Sequence, residues 1–332
     1  MRSRSIVLGI AALAMAGSLA ACGQAGSSGG GTGSNGTATT KAGCAPVAGN
    51  DLVVLDDDKK LQNSDNVIPA INTKAATPAL TAALDKVSAA LDSKTLIALN
   101  KQVDIDRQTS AVAASGFIAA QKLSDGLQKG SGTVVIGAAN FSESQTLANI
   151  YADVLKSAGF TSSVKTIGNR ELYLPALEKG EIQVVPEYAA TLTEFMNPDK
   201  AKPQATPDID KTVAALTALG KDKGLSFGKP AAATDQNAFA VTTAFAQKNS
   251  VKTLSDFASK CSGKATIIGG PPECNSAARP YCVPGLVKTY ALSFGSFTSL
   301  DAAGPLSKQA LKTGKVTIAL VLSSDGGLTA SS

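Results

Sequence analysis

Between Thr133 and Val185 the apolar positions switch repeatedly between an unbroken run and a helical spacing. Thr133-Val-Val-Ile136 is a short apolar run ending at a glycine turn, as expected of a buried strand. Ser142 and Gln145 have the spacing of a capping box, and Leu147, Ile150, Tyr151, Val154 and Leu155 share one face of the helix that follows. Gly159 stops that helix. Strand Ser163–Ile167, helix Glu171–Lys179 and strand Ile182–Val185 complete a βαβαβ run, which predicts a parallel sheet.

The chain before this block has its own pattern. Leu52-Val-Val-Leu55 is a short strand followed by the solvated turn Asp56–Lys60, and Asn66–Ile71 is a second extended piece. Thr77-Pro78 pairs a cap with a first-turn proline, and Leu80, Leu84, Val87 and Leu91 follow at helical spacing. Helices over Thr95–Gln102 and Thr109–Leu123 come next, then a polar, glycine-rich loop at Gly126–Gly132. Beyond the block, the polar stretch Ala231–Asn237 precedes the apolar Ala238-Phe-Ala-Val-Thr242, as an interlobe crossover would. Ile267-Ile-Gly-Gly-Pro-Pro-Glu-Cys274 is a strand ending in a turn-rich loop, where sheets of this kind collect ligand residues. The segment Ala176–Val185 recurs in form as Ala310–Ala319: helix end, glycine cap, buried strand. One early and one late copy fit two α/β lobes of similar build.

Composition narrows the function. Arg2 and Arg4 precede the apolar run Ile6–Leu19, which ends in Leu19-Ala20-Ala21-Cys22, so residues 1–21 read as an export signal. The last four residues have the form of a lipobox, making Cys22 the expected lipidation site; two or more acyl chains give stable anchoring. Residues 22–43 are dominated by Gly, Ser, Thr and Ala and are expected to form a flexible tether. Removal of Arg2 and Arg4 takes the 31 basic side chains to 29 against 26 acidic, so the net charge falls from +5 to +3. No basic cluster supports nucleic-acid binding. The chain has no histidine, which excludes Ser-His-Asp and Cys-His catalysis and His-ligated zinc. Four cysteines remain besides Cys22, an even number that favours two disulfides in an exported protein. Cys274 and Cys282 enclose a short loop and are expected to pair, leaving Cys44 with Cys261. A four-thiolate metal site is the rival arrangement, but no Cys-x-x-Cys spacing exists to support it.

Several motifs in one order carry a resemblance. Gly137-Ala-Ala-Asn-Phe-Ser-Glu143, Gly168-Asn-Arg-Glu-Leu-Tyr173, Ala176-Leu-Glu-Lys-Gly-Glu-Ile182 and Pro186-Glu-Tyr188 come first. Gly269-Gly-Pro-Pro-Glu-Cys274, Arg279-Pro-Tyr-Cys-Val-Pro-Gly-Leu286 and Leu300-Asp-Ala-Ala-Gly-Pro-Leu306 follow. Together they resemble the substrate-binding proteins of osmoprotectant ABC importers, the binders of glycine betaine, carnitine and choline. The resemblance implies a two-lobe type II periplasmic-binding-protein fold with a hinge of two crossovers. It implies no catalysis and no cofactor or metal. The partners would be a quaternary ammonium solute and an ABC permease with its ATPase, and the location the outer face of the cytoplasmic membrane, with the protein lipid-anchored and monomeric.

A quaternary ammonium cannot donate hydrogen bonds, so such proteins hold it on aromatic faces; a carboxylate wants Arg, hydroxyls and backbone N–H groups. The resemblance carries the aromatic cage to Tyr188 and Phe239, with Thr191 and Asn237 beside them, and an acidic and basic pair to Glu273 and Arg279. Asn140, Phe141 and Ser142 fall at the first strand–helix turn, where backbone donors would face the cleft. The departures are specific. Ala139 replaces a lysine, and Asp65 and Leu322 stand where cage tyrosines fall; Tyr173 and Tyr281 are the candidates to compensate. A binder or sensor of a different small polar or aromatic solute on the same fold, or an exported enzyme using carboxylates such as Glu187, are the alternatives.

The family normally begins with the strand found here at 133 and ends with the elements found here at 52–123. The order therefore resembles a circular permutant, with Gly126–Gly132 joining the old ends. Residues 66–235 are expected to form lobe I (helices in 77–123 plus 133–235), and residues 44–65 with 236–332 lobe II.

Overall fold

A computed structural model describes residues 41–168, 170–199, 201–277 and 279–328. The export signal, Cys22 and nearly all of the tether lie outside the described residues.

Among the described residues, ten strands form two five-stranded sheets built to one plan. In the first, β4 (Thr161–Gly168), β3 (Thr133–Ala139) and β5 (Val184–Tyr188) run parallel, as the βαβαβ pattern predicts. Antiparallel to β5 comes β2 (Val67–Asn72), and antiparallel to β2 comes the edge strand β6 (Leu225–Phe227). The second sheet repeats this order. Parallel β9 (Phe294–Ser299), β8 (Gly263–Gly270) and β10 (Ile318–Leu322) are followed by antiparallel β7 (Asn237–Thr242) and β1 (Leu52–Val54). Each sheet thus receives its antiparallel inner strand, β2 or β7, from a chain segment that has just left the other sheet. The architecture is a mixed α/β fold of two lobes.

Local chemistry explains the elements. Helix α1 (Pro78–Ala90) starts where the proline sits, with the Thr77 hydroxyl accepting the Leu80 N–H at 3.3 Å. Its Leu80, Ala83, Leu84 and Val87 are buried in the first lobe's core beside α2 (Ser93–Asp104) and α3 (Ser110–Ala120). Helix α4 (Ser142–Ser157) buries Leu147, Ile150, Tyr151, Val154 and Leu155, yet the expected capping box does not form. The helix begins one residue early, so Ser142 is inside it, and Ser144 Oγ instead accepts the Ala139 N–H at 2.9 Å. Helices α5 (Arg170–Lys179) and α6 (Ala189–Met196) flank β5. Asp57 is more than a solvated turn residue: its carboxylate accepts the amides of Leu61 (2.8 Å) and Gln62 (2.7 Å) and the Tyr290 hydroxyl.

The internal echo is a repeated junction. After α5, the Glu181 N–H donates to Ala176 O at 2.9 Å; after the helix Pro305–Lys312, the Lys315 N–H donates to Ala310 O at 2.8 Å. Gly180 (φ 79°) and Gly314 (φ 67°) take the left-handed conformation that lets the chain turn into β5 and β10. Cys44 and Cys261 are joined by a disulfide (Cα–Cα 4.6 Å), as are Cys274 and Cys282 (Cα–Cα 5.2 Å). No helix among the described residues is long and apolar enough to cross a membrane.

Candidate functional site

Three adjoining cavities of about 730, 600 and 380 Å³ open between the two sheets, and Asn237, the first residue of β7, lines all three. The largest is walled by the C-terminal ends of β3 and β5, the start of α5 and α6, and the crossover residues Asp65, Asp235 and Gln236. Ligand clefts of α/β sheets form at such strand ends.

Its floor is a buried ion pair. Strand β5 is buried along its whole length, and Glu187 in it is fully buried. Arg170 Nε and Nη2 donate to the two Glu187 oxygens at 2.9 and 2.7 Å, while Tyr173 OH (2.8 Å) and the Tyr188 N–H (3.1 Å) also donate to that carboxylate. Burial opposes the Arg170 charge, but the Glu187 hydrogen bonds and charge more than offset it and hold the guanidinium firmly protonated. The same guanidinium lies 5.7 Å from the Phe195 ring centroid.

A second network runs from the cavity to the crossovers. Tyr188 OH donates to Glu143, whose other oxygen accepts from Asn100 Nδ2. Asn100 Nδ2 also donates to Ser324 O at 2.8 Å, and Ser324 Oγ donates to Asp235 at 2.8 Å. Burial raises the pKa of Glu143, and raises that of Asp235 to about 8 with help from the Glu143 charge. Burial, and then the Glu143 carboxylate, push Tyr188 well above the usual phenol range.

Asp65 stands at the N-terminus of α6. One oxygen accepts the Thr191 N–H at 2.8 Å and the other accepts its hydroxyl; burial still raises this carboxyl to about 6. Above it, Phe141, 44% exposed, stacks on Tyr188 with ring centroids 6.4 Å apart.

The expected residues divide accordingly. Tyr188, Thr191, Asn237, Asn140, Phe141, Tyr173 and Asp65 meet at the largest cavity. Glu273, Arg279 and Tyr281 line the second, where no ion pair joins Glu273 to Arg279. Two lie elsewhere. Phe239 lines none of the three cavities; two residues beyond Asn237, β7 has passed beneath its own lobe's helices, and Phe239 packs there with Phe245, Phe257 and Ile268. Ser142 is outside the cavities too, and Ser144 takes its place. The Asn140 N–H donates to Gly168 O at 2.9 Å rather than facing the cleft. Sequence reasoning did not single out Arg170, Asp235 or Glu143. Arg170 and Tyr173 had a signal, since their i, i+3 spacing puts both side chains over one carboxylate.

Two like-built lobes around a polar and aromatic cleft define a solute-binding protein. A family model for OpuAC, the substrate-binding domain of the ABC-type glycine betaine transport system, matches residues 44–120 and 132–331. The chain belongs to that family. It is therefore a substrate-binding protein of ABC importers for glycine betaine-type solutes, extracytoplasmic by its role, in a family of solute binders rather than enzymes.

Proposed function

We propose that the protein captures a quaternary ammonium osmoprotectant such as glycine betaine, choline or carnitine and hands it to an ABC permease. The observation that carries this reading is the Phe141–Tyr188 ring pair facing a cavity of about 730 Å³. Aromatic faces hold a cation that has no hydrogen to donate. Residues 66–235 act as one lobe and 44–65 with 236–332 as the other, a division supported by sheet membership. Closure of the lobes on the solute would present the permease with one docking surface. Lipidation at Cys22 holds the monomer at the outer face of the cytoplasmic membrane.

The element order is that of a circular permutant. The gap between the two matched segments, 121–131, supports this, because it falls on the loop expected to join the old ends. Glu187 gives no foothold to an enzymatic reading, being fully buried and spent on Arg170 and Tyr173. Isothermal calorimetry against betaine, choline and carnitine tests the proposal. Tyr188→Ala should weaken binding about thirtyfold, the equivalent of about 2 kcal/mol from a desolvated cation–π contact. Tyr188→Phe, which keeps the ring, should weaken it far less. Equal losses in the two variants would remove the cage assignment.

A further inference from the structure

A zwitterion such as glycine betaine needs two seats, an aromatic face for its cation and a donor-rich seat for its carboxylate. The largest cavity offers two seats of the second kind, and a carboxylate of the protein occupies each. Arg170, the cavity's one cationic side chain among the described residues, gives Nε and Nη2 to Glu187 in a two-pronged pair. The N-terminus of α6, a natural anion seat, has its Thr191 N–H and hydroxyl taken by Asp65. Asp235 and Glu171 add two more carboxylates to the same wall. Arg279, the other basic residue near the cleft, lines the second and third cavities and not the one holding Tyr188 and Phe141. No cluster of acidic side chains among the described residues is arranged to hold a metal ion in their stead.

We propose that this cleft selects a cationic solute that carries no carboxylate, with Asp65 as the residue that turns the zwitterion away. The proposal rests on the solute-binding reading and narrows it. A solute carboxylate entering the largest cavity would meet the ionised Asp65 at neutral pH, and Asp235 as a second negative charge above about pH 8, and juxtaposed like charges are a strong source of discrimination. A bare cation meets aromatic faces together with carboxyl groups that no basic side chain is paired to. The raised positions of Asp65 and Asp235, about 6 and about 8, fit the same picture: an incoming cation would draw their protons off.

Calorimetry on the purified full chain, with choline, putrescine and glycine betaine as probes, tests this. The expected result is choline or putrescine binding at least about tenfold tighter than glycine betaine, with the preferred cation's affinity rising from pH 6 to 8.5. Asp65→Asn, which offers an amide where the carboxylate stood, should shrink that gap to under about threefold. Asp235→Asn should also shrink it, and serves if the first variant does not fold. Glycine betaine binding as tightly as the cations, or its binding being lost in Arg279→Ala, would overturn the proposal and leave the solute-binding reading standing. Binding of no probe at all would remove both.

Discussion

The two lobes share one sheet plan and are fastened in opposite ways. The first, around β3 and β5, is tied by buried polar groups: Arg170 and Tyr173 to Glu187, and Tyr188 and Asn100 to Glu143. The second, around β8 and β10, carries both disulfides, and Glu273, Arg279 and Tyr281 on its cleft loop are exposed or half-buried, with Glu273 and Arg279 not joined to each other. Equal topology therefore does not mean equal division of labour. The first lobe has its binding wall hydrogen-bonded together before any solute arrives. The second offers a stapled loop whose charged side chains are still uncommitted.

This contrast can be broken from either side. The largest effect should come from the second lobe's long staple: converting Cys44 and Cys261 to serine removes a crosslink between residues 217 apart in sequence, worth about 5 kcal/mol on chain-entropy grounds. Urea unfolding with and without the bond measures it, and the Cys274–Cys282 pair, 8 apart, should cost only about half as much. On the first lobe, Glu187→Ala leaves a mostly buried guanidinium without its partner and should cost about 3–5 kcal/mol in the same measurement.

A smaller effect should follow pH. Asp65 and Asp235 have folded-state pKa values of about 6 and about 8, above the roughly 3.9 of an unfolded aspartate. Both therefore hold protons more tightly when folded. Their stabilisation is complete below pH 4 and is lost as pH rises from there to about 6 and about 8, so the solute-free protein should weaken between pH 4 and 8 and level off above that. Asp235→Asn should flatten the upper part of that slope. Smallest of all, Glu273→Ala on the exposed loop should change stability by no more than about 0.5 kcal/mol. A loss near that of Glu187→Ala would mean that the second lobe's wall is also pre-built.

What the chain announces locally, it announces well. Thr77 and Pro78 start α1 where they stand, and the two helix–glycine–strand echoes fold into matching junctions. The errors are errors of reach. Phe239 and Asn237 have the same alternation along β7, and only the helices packed over the strand decide that one faces the cleft and the other the core. Ser142 has capping spacing, but the backbone at Ala139 is satisfied by Ser144 instead. The partners of the buried polar groups are illegible for a related reason. Asp65 meets Thr191 across 126 residues and Asn100 meets Ser324 across 224, so no local pattern marks either pair.

The Cys44–Cys261 bond also has a consequence for the history of each molecule. Every strand of the first lobe, β2 to β6, lies between those two cysteines, so that lobe is a covalently closed ring hung from the second. If it melts alone, its chain stays a loop with both ends held 4.6 Å apart at the Cα atoms, and it searches for its fold from that confinement. A single protease cut within the ring opens the loop but releases nothing until the bond is reduced.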